Sequence, residues 1–132
     1  MTDFILRKDQ SAQIPEFLRS TVVGFEESPE YQQLRGYEQD ISGVVLGAFA
    51  GYLCKIHEKI LVGHAEQNTE AVINSAHEAI EVLASSPGST SRDLVTDELY
   101  ENLECKEDVL KEIRRHLKPN ALALYERYTA RR

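Results

Sequence analysis

The sequence predicts an all-α fold, a compact single-domain bundle of about six helices. Three observations carry that expectation. Apolar residues recur at steps of three and four along most of the chain, the period of a helical face. Ser, Pro and Gly punctuate those runs at places where helices start and stop. No alternating apolar and polar run of useful length competes with them. The 132 residues suit one domain, of a size that buries roughly two-thirds of its unfolded surface without a metal or disulfide staple. A hydrophobic fraction of 42% excludes disorder over the whole chain.

Residues 1–13 are short and mixed, and Phe4-Ile5-Leu6 fits strand or coil equally, so an irregular start is expected. Pro15 suits a first helical turn, and Phe17, Leu18, Val22 and Phe25 then form one apolar stripe. Ser28-Pro29-Glu30 repeats the start signal, with Ser28 as N-cap. The strongest helix spans about Ile41 to Val62, where Val45, Phe49, Tyr52, Leu53, Ile56 and Ile60 share a face and Gly63 is the stop. Asn68 or Thr69 opens the next, with Val72, Ile73, Ala76, Ile80 and Leu83 as its stripe. Ser85-Ser86-Pro87-Gly88-Ser89 is a loop. Thr90-Ser91-Arg92-Asp93 reads as a capping box opening a helix that carries Leu94, Val95, Leu99 and Leu103. Glu107 and Asp108 suit the positive end of another helix, with Val109, Leu110, Ile113 and Leu117 inward and Arg114, Arg115, His116 and Lys118 at its negative end. Pro119 ends it, and Leu122, Leu124, Tyr125 and Tyr128 build a last short helix.

The amino terminus lacks the basic start and long apolar stretch of a signal peptide. The most apolar run, Ile41 to Cys54, is too short for a membrane span, which needs about 20 residues, and it is broken by glycines. Two cysteines, Cys54 and Cys105, are too few for a secreted disulfide framework, so a reducing cytoplasm is the expected compartment. A net charge of −7 opposes a generic nucleic-acid binder, although residues 101–132 are locally basic and Arg127, Arg131 and Arg132 lie there.

Gly43, Gly47 and Gly51 fall on one helical stripe, where each costs about 1 kcal/mol relative to alanine unless another backbone approaches closely. That partner is either a helix of the same core or a second copy of the chain in a homodimer.

No catalytic, cofactor-binding or metal-binding residue is expected. Cys54 with His57, and His77 with Glu81, each fall on one helix face, but neither pair makes the three or four ligands that zinc requires. Cys54 with His57 as base lacks an orienting third group and an oxyanion turn. No phosphate-cradling loop, dinucleotide fingerprint or serine elbow occurs.

The charge pattern is more specific. From Asp93 to Asp108 the acids Asp93, Asp97, Glu98, Glu101, Glu104, Glu107 and Asp108 face a single base, Lys106. If the helix continues that far, Asp97, Glu101, Glu104 and Asp108 line one face, at steps of four, three and four. Glu70, Asn74, His77, Glu78 and Glu81 form a second polar face on the preceding helix. Such a surface attracts a cationic protein and speeds its encounter, with affinity supplied by anchors such as Tyr100 or Tyr52. The expected partner-binding set is therefore Glu70, His77, Glu78, Glu81, Asp97, Tyr100, Glu101, Glu104 and Asp108; the competing expectation is a face that is merely solvated.

Two stretches also carry a resemblance: Ile41 through Ala65 into Val72-Ile73-Asn74-Ser75-Ala76-His77-Glu78-Ala79-Ile80-Glu81-Val82-Leu83, and Leu94 through Leu103, closing with Leu117-Lys118-Pro119. Together, over roughly two-thirds of the chain, they resemble small all-helical bacterial immunity proteins of polymorphic and contact-dependent growth inhibition toxin systems. In that family a helix ending in a Leu-Glu-Asn-Leu-like motif precedes a final helical pair, and here the motif reads Leu99-Tyr100-Glu101-Asn102-Leu103. The Ser-Pro-Gly loop is longer than the family pattern. The resemblance implies a non-enzymatic protein that binds one cognate toxin domain and blocks it; the acidic pattern, separately, leads us to expect a cationic, nuclease-type toxin whose active site is occluded. The alternative is a homodimeric structural or regulatory adaptor built on the glycine stripe.

Overall fold

Ser42–Leu61 forms the longest helix, and the other elements pack around it. In chain order, the computed structural model contains α1 (Ile14–Thr21), α2 (Pro29–Gln32), a 3-10 turn (Gly36–Asp40), α3 (Ser42–Leu61), α4 (Thr69–Ala84), α5 (Ser89–Leu94), α6 (Glu107–His116) and α7 (Pro119–Ala130). It describes residues 12–64 and 66–131; Phe4-Ile5-Leu6 and most of the expected irregular start lie outside them. The described residues form a single all-α bundle without strands, and none of their helices is long and apolar enough to cross a membrane.

Local chemistry explains the boundaries. Ser28 caps α2, its Oγ accepting the Tyr31 N–H at 3.3 Å, and Pro29 occupies the first turn. Gly63 ends α3 in the left-handed conformation (φ 77°), with His64 N–H on Lys59 O at 2.8 Å and Gly63 N–H on Ile60 O at 3.2 Å, the paired bonds of a Schellman stop. Lys118, preceding Pro119, is held extended, which separates α6 from α7. Pro119 therefore opens α7 in its first turn.

Two expectations are corrected. The stripe Phe17–Phe25 is not one helix: α1 stops at Thr21, and Gly24 (φ 80°) turns the chain so that Phe25 enters the core from a loop. There Phe25 packs edge-on against Tyr31 and Phe49 and tilted against Tyr52. The helix expected from Thr90 through Leu103 begins earlier, at Ser89, with no side-chain cap. It then widens to a π turn at Val95–Leu99, tightens to a 3-10 turn at Tyr100–Asn102, and gives way to a non-helical link before α6. Side chains compete with the regular ladder there: Thr96 Oγ1 donates to Arg92 O at 3.3 Å and Asn102 Nδ2 to Glu98 O at 2.7 Å.

The core centres on Leu46, Phe49 and Leu53 of α3, with Leu18, Phe25, Ile80, Leu83, Leu99 and Ile113 fully buried around them. Helix α7 packs on α4 and the π turn.

Candidate functional site

The acidic segment is displayed, but not as a straight row. Asp93, Asp97, Glu101, Glu104, Glu107 and Asp108 are all exposed, and among the described residues none of them forms an ion pair. Asp97 lies on the π turn, Glu101 on the 3-10 turn, Glu104 in the non-helical link after it and Asp108 in the first turn of α6. The continuous helix face expected for them does not form. Asp108 Oδ1 also accepts the Val109 N–H at 2.9 Å, serving the amino terminus of its own helix.

The second polar face is divided. Glu70 and Glu78 are exposed, and Glu78 pairs with Lys118 at 3.4 Å. His77 points inward and is 2% exposed, so it is not a surface residue. Glu81 turns to α7, where its carboxylate accepts the N–H groups of Asn120 at 3.3 Å and Ala121 at 3.0 Å and the Asn120 side-chain amide at 2.7 Å. It thus satisfies orphan donors at a helix amino terminus.

Neither anchor candidate is presented to a partner. Tyr100 is buried, donates its hydroxyl to Ala121 O at 2.7 Å, and packs edge-on against Tyr125. Burial, then Glu81 and Tyr125, push its phenol well above the ordinary range. Tyr52 donates to Val23 O at 2.7 Å; burial, reinforced by Glu27 and Glu30, raises its hydroxyl to about 12. Both tyrosines brace the fold.

The glycine stripe receives side chains of its own chain rather than a closely crossing backbone. A Cβ at Gly43 would meet Glu98 Oε2 at 2.6 Å, one at Gly51 Glu30 Cγ at 3.4 Å, and one at Gly47 only Asn102 Nδ2 at 3.8 Å. Cys54 and Cys105 are joined in a disulfide, Cα to Cα 5.7 Å, which ties α3 to the segment before α6 and uses both thiols. Cys54 therefore neither pairs with His57 nor serves as a nucleophile.

A different cluster forms where α3, α4 and α6 meet. His57 and His77 face each other, Nε2 to Nε2, at 2.8 Å. The ring of His116 stands 5.0 Å from that of His57 and 5.6 Å from that of His77, centroid to centroid. Burial, then neighbouring His116, lowers His57 to about 4. Burial, with His57, His116 and Lys118, lowers His77 to about 3. Burial and Arg115 also lower His116. Glu112 lies one turn before His116 on α6; it is 4% exposed and paired with Arg115 and His116. The His116 Nδ1–H points at the Glu112 carbonyl at 3.0 Å. The i, i+4 spacing of Glu112 and His116 was the only local signal for this cluster, since its other members come from separate helices.

Comparison with protein-family models, with curated proteins and with solved structures finds no match to this chain.

Proposed function

We propose that the chain is an immunity protein, a non-enzymatic helical module that binds a cationic toxin domain and covers its active site. The observation that carries this reading is that six of the seven carboxylates from Asp93 to Asp108, all but Glu98, are exposed and, among the described residues, without an ion pair. Like charges repel one another. A basic partner supplies counter-charges, and the negative potential draws it in. The π and 3-10 turns place these carboxylates on irregular backbone rather than along one helix face, and their charge suits a partner whose own site must attract phosphate. Nothing in this reading needs Tyr100, Tyr52, His77 or Glu81 at the interface. The homodimeric adaptor loses its specific support, because Glu98, Asn102 and Glu30 of the same chain lie over the glycine stripe. The Cys54–Cys105 bond bears on compartment: disulfides persist in oxidising surroundings and are rare in the cytosol, which weighs against a cytoplasmic location.

The test is co-expression with the product of the neighbouring upstream gene, scored for rescue of growth and a co-purifying complex. Glu101→Lys combined with Glu104→Lys is expected to slow association by about tenfold or more and to flatten its salt dependence. Unchanged kinetics would remove the acidic segment from the interface; absence of any complex would remove the immunity reading itself.

A further inference from the structure

We propose that His57, Glu112 and His116 bind one divalent transition-metal ion, with zinc the best match to their donors. The site stands independently of the toxin-binding reading, since it is built at the junction of α3 and α6 and uses none of the carboxylates from Asp93 to Asp108. One donor atom from each of the three residues already lies within 4.8 Å of the other two. Zinc holds such donors at about 2.0–2.1 Å, roughly 3.3 Å from one another, so side-chain rotation suffices to close the set.

The surroundings are those of a ligand site. Two imidazoles bound to one zinc ion place their ring centres roughly 5 Å apart, and those of His57 and His116 stand 5.0 Å apart. The bond from His116 Nδ1–H to the Glu112 carbonyl fixes the tautomer and leaves Nε2 with a lone pair, the usual support for a metal-bound histidine. His77, in contact with His57 through Nε2, fixes the orientation of that ring in the same way. The contact also leaves a need unmet. His57 and His77 are 0% and 2% exposed, and the Nδ1 atom of each is buried without a partner. With one proton shared between the two Nε2 atoms, one of those Nδ1 atoms is a lone pair with nothing to accept. A cation at the cluster gives an imidazole lone pair an acceptor, and the Glu112 carboxylate supplies the negative charge that a buried ion requires. Two nitrogens and one carboxylate suit zinc and its neighbours, whereas magnesium and calcium prefer all-oxygen shells. A cleft of about 530 Å³ bordered by Ile60, Thr69, Glu70 and Asn74 reaches His116 and gives the ion and a completing water a way in.

Titration calorimetry of the tag-free, disulfide-intact chain with zinc chloride tests the assignment, with magnesium chloride as the control. One equivalent of zinc is expected to bind and to raise the melting temperature, while magnesium does neither. His116→Ala, at a partly exposed position and checked for folding by circular dichroism, and Glu112→Gln are each expected to weaken zinc binding by more than about tenfold. His64→Ala, at an exposed histidine outside the cluster, is expected to leave it unchanged. Failure to saturate near one equivalent would overturn the proposal. So would binding that survives His116→Ala intact, or that His64→Ala weakens equally, since either result marks adventitious surface chelation.

Discussion

The Glu81 carboxylate accepts the Ala121 N–H at 3.0 Å, and the carbonyl of the same Ala121 accepts the Tyr100 hydroxyl at 2.7 Å. One residue at the start of α7 therefore anchors that helix to α4 through its nitrogen and to the 3-10 turn through its oxygen. Residues 40 positions apart in sequence meet there.

Removing the carboxylate is the direct test of that anchor. Glu81→Ala is expected to destabilise the chain by about 1–2 kcal/mol, because it strips a charged acceptor from a helix amino terminus. Urea denaturation checks the value, and hydrogen exchange should show loss of protection concentrated in α7.

Tyr100→Phe removes only the hydroxyl and with it the bond to the Ala121 carbonyl that ties the 3-10 turn to α7. An expected loss of about 1–2 kcal/mol in thermal or urea unfolding follows, with partner association unchanged. A binding defect without a stability loss would restore Tyr100 to the interface.

Two glycine substitutions should move stability in opposite directions. Gly47→Ala meets only an ordinary contact at 3.8 Å inside α3, so it is expected to stabilise by up to about 1 kcal/mol. Gly24→Ala carries φ 80° and puts its Cβ 2.7 Å from the Tyr52 hydroxyl oxygen, so it is expected to cost more than about 1 kcal/mol. Melting temperatures of the two variants decide it.

Stability should fall with acid even in chelator. His57 and His77 titrate at about 4 and about 3 in the fold against 6.5 for the free side chain. Lys118 and Arg115 add positive charge around the cluster, and Glu112 is its nearest carboxylate. Between those values the unfolded chain binds more protons than the folded one. The stabilisation is thus complete above about pH 6.5 and is lost as pH drops through 4 towards 3, on the order of a few kcal/mol. Urea midpoints measured in EDTA across that range should decline; a level profile would contradict the buried neutral pair.

Reducing the disulfide opens a loop closed over a sequence separation of 51. The expected loss is about 2–4 kcal/mol, read as a lower urea midpoint in reductant, and Cys105→Ser should reproduce it. Thiol trapping during extraction from cells reports which state the protein occupies.

Most of the architecture was legible because α3, α4 and α6 each bury one face, and a repeat of three and four is the direct imprint of that burial. The passage from Val95 to Asn102 was not, because π and 3-10 turns keep Val95 and Leu99 inward just as an α-helix would. The exposure of Asp97, Glu101, Glu104 and Asp108 followed from charge. The inward roles of Tyr100, His77 and Glu81 did not, since each depends on partners from other helices. The pairing of Cys54 with Cys105 and the approach of His57 to His116 were equally hidden, as nothing local links them.

The widened turn at Val95–Leu99 has one more consequence. A π turn acts as a single-residue insertion, so the chain after Leu99 is presented about 100° out of phase with a straight continuation. Excising one residue there would pull Tyr100 away from the Ala121 carbonyl and Cys105 away from Cys54 of α3. The wide turn is thus what allows one short segment to reach α7 through its tyrosine and α3 through its cysteine at the same time.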